Sequence, residues 1–107
     1  LFRSVLGYHP DGWLERISEF KLFTGDLGKI NITLYYPEQI TSNLSGRIYI
    51  NNDLPIEFEI IQPLETFVVN AIPNEVVNVR IEFDFEKQAS EQDKRMVSAL
   101  LNELKGE

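Results

Sequence analysis

Along most of the chain, apolar and polar residues alternate one by one. Ile30, Ile32, Leu34 and Tyr36 alternate with Asn31, Thr33 and Tyr35. Ile48 and Ile50 flank Tyr49, and Ile56, Phe58 and Ile60 alternate with Glu57 and Glu59. Phe67, Val69 and Ala71 follow at the same spacing. The longest run is Val77, Val79, Ile81, Phe83 and Phe85, interleaved with Asn78, Arg80, Glu82 and Asp84. A helix would scatter these apolar residues around its circumference. A strand puts them on one side and the charges on the other.

The breaks between runs carry turn chemistry. Asn51-Asn52-Asp53 separates two alternating runs, and Asn and Asp tolerate positive φ, so the triplet predicts a tight hairpin turn. Gly25-Asp26-Leu27-Gly28 parts the Glu19–Thr24 run from the Lys29–Tyr36 run. Pro37, Pro63 and Pro73 fall at run ends, where a missing N–H does least harm. The expected fold is all-β, an antiparallel β-sandwich, jelly-roll-like, of seven to eight strands. The C-terminal stretch stays open on local grounds. Ser90 and Asp93 have the spacing of a capping box, and Met96, Val97, Leu100, Leu101 and Leu104 fit a helical stripe.

The 107 residues make a single domain, 1–107, long enough to hide about two thirds of its extended surface. The first residue is Leu1 rather than Met, so the chain reads as a domain of a longer polypeptide. A net charge of −7 disfavours nucleic acid and anionic membrane, because phosphate binding needs clustered cations. No apolar run reaches the ~20 residues of a helical span, so no membrane insertion is expected. With no cysteine and one histidine, disulfide scaffolds, thiol catalysis and zinc fingers are excluded, and neither a metal nor a cofactor is expected.

Catalytic constellations are lacking. His9 precedes Pro10 and reads as a turn residue, since no Gly-x-Ser-x-Gly elbow accompanies it. Glu57 with Glu59 and Glu82 with Asp84 fall on outward faces of alternating strands, whereas glycosidases need carboxylates facing across a cleft. The segment Gly7–Arg16 gathers a Tyr, the His, two acids, the one Trp and an Arg. Aromatic faces that stack on C–H surfaces, with planar polar groups that bond hydroxyls, are the chemistry that holds sugars. Tyr8, Asp11, Trp13 and Arg16 are therefore candidate ligand-binding residues. A core or rim anchor is the competing role for Trp13.

With Gly7-Tyr8, then Asp11 and Trp13, the chain resembles a known module. The hairpin Arg47-Ile48-Tyr49-Ile50-Asn51-Asn52, the strand Val79-Arg80-Ile81-Glu82-Phe83, and Ser90 followed by Asp93-Lys94-Arg95 continue the likeness from about Gly7 to Leu104. It is similar to the carbohydrate-binding-module-like β-sandwich domains appended to bacterial glycosyltransferases of cell-surface polysaccharide synthesis. Arg16 stands where that family carries a second Trp, Asn52 where its turn carries Gly, and Ser98 where it carries another Gly. The resemblance implies a strand at the C-terminus and adds Asp93 and Arg95 to the candidates, although a structural clamp is the other reading of that pair. It implies a non-catalytic accessory domain in the cytoplasm, at the inner face of the membrane through its parent enzyme. Its expected partners are a glycan acceptor and its own glycosyltransferase catalytic domain. The alternative is a docking or oligomerisation module, with Phe23, Tyr35 and Tyr49 as the outward apolar candidates.

Overall fold

A computed structural model describes residues 1–36 and 43–107. Pro37, expected at a run end, lies outside the described residues. Ten strands run in order: β1 (Phe2–Tyr8), β2 (Trp13–Phe23), β3 (Lys29–Tyr35), β4 (Leu44–Ile50), β5 (Ile56–Ile60), β6 (Leu64–Asn70), β7 (Val76–Phe83), β8 (Lys87–Gln88), β9 (Met96–Val97) and β10 (Ala99–Gly106). Every pairing is antiparallel. The C-terminal segment is strand β10.

The main sheet follows the order β5-β4-β7-β2-β10-β3-β6, with β1 on the free side of β2. It folds into two layers, β5-β4-β7-β2-β1 and β10-β3-β6. The eleven-residue β2 joins them. From Ile17 to Phe23 it pairs with β7, and at Trp13 and Leu14 it pairs with Leu100 and Ala99 of β10. At the opposite side, the strands at the two ends of this order meet through side chains: the Phe58 and Phe67 rings lie 5.1 Å apart.

The alternation decides what is buried. In β4 the inward residues Leu44, Gly46, Ile48 and Ile50 are buried, and Ser45, Arg47 and Tyr49 are half-buried on the other side. Phe20, Ile32, Leu34, Ile48, Ile81 and Phe83 are among the fully buried side chains. Burying a side chain of this kind stabilises the fold by about 1.5–3 kcal/mol, with shape-matched packing adding to it. Outward Arg47 lies 3.0 Å from Asp84 and 3.6 Å from Glu82, and Arg80 lies 2.7 Å from Glu82. These carboxylates are surface ion-pair partners.

Two sequence expectations are corrected. Phe85 does not continue the inward row, because β7 ends at Phe83 and Phe85 is exposed. The Asp84 N–H donates to Ser45 O, and the Ser98 hydroxyl donates to Phe85 O at 2.6 Å, so the chain leaves the ladder there. The Ser90–Asp93 contact forms, with Asp93 N–H donating to Ser90 Oγ at 2.9 Å, but Ser90 N–H also donates to Asp93 O. This closes the turn between β8 and β9 and starts no helix. The turn at Asn51 and Asn52 forms as expected, with φ of 53° and 64° and the Asp53 N–H donating to Ile50 O.

Candidate functional site

Asp11 sits on the loop between β1 and β2, and Trp13 opens β2. His9 N–H donates to Trp13 O at 2.9 Å and Gly12 N–H to His9 O at 2.8 Å, which ties the loop into a tight turn. Gly12 takes φ +103°, a conformation that side-chain-bearing residues rarely adopt. His9 has the turn role expected of it, and its Nε2 lies 3.0 Å from Glu15 Oε2.

Asp93 and Arg95 come from the far end of the chain, on the turn of the small β8–β9 hairpin. The Arg95 Nε donates to both Asp93 oxygens at 2.9 and 3.0 Å. Its Nη2 donates to Asp93 Oδ2 at 2.5 Å and to Asp11 Oδ2 at 2.7 Å, and its Nη1 donates to Asp11 Oδ1 at 3.2 Å. The planar guanidinium is suited to such paired bonding. The bonds from the Arg95 side chain and its backbone N–H hold the Asp93 carboxyl down at about 2. Arg95 bonding likewise lowers Asp11. The two carboxylates, Asp93 first, raise the Arg95 guanidinium above its ordinary value.

Trp13 is half-buried at the start of β2, and Lys87 of β8 places its Nζ 5.4 Å from the indole centroid. The hairpin therefore grips this segment twice, through Arg95 on Asp11 and through Lys87 on Trp13. Each contact joins a cation to an anionic or π-rich partner. Asp11, Trp13, Asp93 and Arg95 thus form one assembly. Each Asp93 oxygen already accepts two bonds from Arg95, whereas each Asp11 oxygen accepts one from Arg95 and the Asp11 side chain is 52% exposed. The assembly can accept hydrogen bonds from hydroxyl groups beside an aromatic surface.

Tyr8 and Arg16 lie outside this assembly. Tyr8 packs edge-on against Phe2 at 5.5 Å and Phe20 at 5.7 Å, on the margin of the core. Arg16 is exposed on β2, lining a shallow groove with Leu6, Glu15, Ile17 and Glu86. Sequence reasoning missed Lys87, whose contact with Trp13 depends on tertiary packing and leaves no local pattern.

Of the outward apolar candidates, Phe23 and Tyr35 are exposed, and Phe23 lines an open apolar groove with Leu1, Leu22 and Val76. Tyr49 is half-buried in a polar groove with Asn52, Arg80 and Glu82. Compared with protein families, curated proteins and solved structures, the chain gives no match in any of the three.

Proposed function

We propose that this domain is a non-catalytic accessory module that binds carbohydrate weakly at the Asp11–Trp13–Asp93–Arg95 assembly. The observation that carries this reading is the meeting of the Asp11–Trp13 segment with the β8–β9 hairpin, which gathers a half-buried indole, an exposed Asp11 carboxylate and the Arg95 guanidinium. Sugar hydroxyls donate to the exposed Asp11 carboxylate, and a ring C–H face stacks on the exposed part of Trp13. Arg95 keeps both carboxylates ionised and fixed in direction, so less ordering is left to binding. With one aromatic and a few hydrogen bonds, affinity falls at about millimolar to high micromolar. Joined to a polysaccharide glycosyltransferase at the inner membrane face, as the family resemblance implies, the module raises the local concentration of acceptor glycan through a tether.

A titration of isotope-labelled protein with surface-polysaccharide fragments tests this. Amide shifts confined to Asp11, Trp13, Asp93 and Arg95, lost in Trp13→Ala, support it. No shift at roughly ten millimolar glycan, the weak edge of useful affinity, removes it.

A second reading, a protein-docking module without sugar binding, has one specific support. Leu100, Tyr35 and Leu64 share a register row across β10, β3 and β6, with Tyr35 and Leu64 exposed. A short apolar strip on an outward sheet face suits contact with protein.

A further inference from the structure

The described sheet ends on three strands with one unpaired side each: β1, β5 and β6. Open edges invite pairing with other chains, and folded proteins blunt them with charges or bulges. β5 carries Glu57 and Glu59, both exposed. Antiparallel pairing of β5 with its own copy about Phe58 would set Glu57 against the partner's Glu59, and like charges directly opposite are destabilising. β1 is interrupted by register shifts at Ser4/Leu6 and Leu6/Tyr8, with Gly7 at φ +77°. A Cβ on Gly7 would fall 2.2 Å from Ile17 O, so the kink is fixed by close approach to β2.

β6 has no bulge and carries a single charge. Its seven residues pair with β3 in unbroken register from Leu64↔Tyr35 to Asn70↔Lys29. Tyr36 N–H donates to Pro63 O, and Ala71 N–H donates to Gly28 O. In an antiparallel ladder the bonded pairs recur at every second residue, so Glu65, Phe67 and Val69 spend their backbone groups on β3. Leu64, Thr66, Val68 and Asn70 therefore aim their N–H and C=O groups away from β3. Among the described residues nothing pairs with that side. The single charge in the strand, Glu65, accepts from the Ile61 and Gln62 N–H groups.

We propose that β6 is a self-association edge, on which a second copy of this chain adds its own β6 antiparallel about Phe67. In that register all seven residues overlap. Thr66 faces the partner's Val68, and Leu64 faces the partner's Asn70, each pair exchanging both backbone bonds. Glu65 falls opposite the partner's Val69, so no like charges meet. The arrangement is two-fold and closed, which limits assembly to a dimer. It extends the three-stranded layer across both copies and brings the exposed Val68 and Leu64 side chains beside partner side chains on the outward face. One strand edge buries less than a standard interface, so the dissociation constant falls at about 100 µM. The inference holds whether or not the Trp13 assembly takes a glycan.

Sedimentation velocity between about 10 µM and 1 mM, spanning that constant, tests it. The expected result is a monomer that converts to dimer across this range. Val68→Lys, at an exposed position, holds the protein monomeric throughout, while Val68→Thr keeps the dimer. Val68→Pro, which removes an N–H that β3 does not use, does the same as Val68→Lys. Glu57→Gln leaves dimerisation unchanged. A natural chain still monomeric at 1 mM, or a dimer that survives in folded Val68→Lys, overturns the proposal. Glycan titration of Val68→Lys reads the sugar site separately, so either idea can fail alone.

Discussion

The Arg95 guanidinium lies 2.7 Å from the Asp11 carboxylate, although 84 positions of chain separate them. The same group is chelated by Asp93, two residues before it. One side chain thus closes the β8–β9 turn and pins that hairpin to the loop that starts β2. The hairpin is two two-residue strands paired only with each other, so these side-chain contacts join the buried Val97 and the Ser98 N–H bond to Leu14 O in holding it against β2.

Acid should loosen this clamp first. Asp93 titrates at about 2 in the folded chain and at about 3.9 when unfolded. Between those values the unfolded state binds more protons, so stability rises with pH and is lost as pH falls from about 4 towards about 2. The group is solvent-facing, and salt screens its pairing. Urea unfolding at pH 7, 4, 3 and 2 should show this slope, flattened in Asp93→Asn. Equal slopes for the two proteins would refute the assignment.

Ser18 is fully buried on β2, and its hydroxyl finds no partner among the described residues. The backbone of Gly7 approaches it closely enough that a Cβ there would lie 2.9 Å from Ser18 Cβ. An unsatisfied buried hydroxyl costs stability, and Ala fills nearly the same space. Ser18→Ala is expected to stabilise the fold by about 1 kcal/mol in urea or thermal unfolding. A loss of stability would mean that the hydroxyl has a bonded partner after all.

Asn52 occupies a positive-φ position in the β4–β5 turn, as does Asn51 before it. Gly adopts this conformation without strain and suits the second position of such hairpins. Asn52→Gly should raise stability by about 0.5 kcal/mol, the scale of that strain less the added chain entropy. A decrease, with the hairpin amide shifts intact, would count against the turn geometry.

Phe20 lies at the centre of the aromatic group, edge-on to Phe2 at 5.3 Å and to Tyr8 at 5.7 Å, and is fully exposed to none of the solvent. Truncation removes buried area and leaves a cavity. Phe20→Ala should cost about 3–5 kcal/mol. The same change at exposed Phe85 should cost less than about 1 kcal/mol, within the range of ordinary surface substitutions. Comparable losses at both positions would contradict the burial pattern.

Much of this architecture was legible in the alternation, because one buried face per strand forces period two. The inward rows of β3 and β7 read directly from Ile30 to Leu34 and from Val77 to Phe83, and β4 from Ile48 and Ile50 around Tyr49. The exit of the chain at Phe85 was not legible, since it depends on Ser98 capturing a carbonyl from a distant segment. Ser90 and Asp93 made their expected local bond, but a turn uses that bond as well as a helix does. Of the candidate site, Asp11, Trp13, Asp93 and Arg95 converge. Tyr8 did not join them because its ring covers Phe20, and Arg16 because it is exposed farther along β2, beside Glu15 and Glu86. Local sequence carries residue chemistry; which segments meet is decided by the packing of the whole sheet.

β2 ties its fate to three neighbours at once, holding β1 along one side and β7 and then β10 along the other. The two halves of the sandwich are therefore joined in the hydrogen-bond ladder through this one strand, at Trp13 and Leu14. Tension on the N-terminus would run through β1 straight into this strand, whereas tension on the C-terminus would load the β10–β3 ladder from Gly106 first and reach β2 only at Leu100 and Ala99, so the two ends of the domain should yield along different strands.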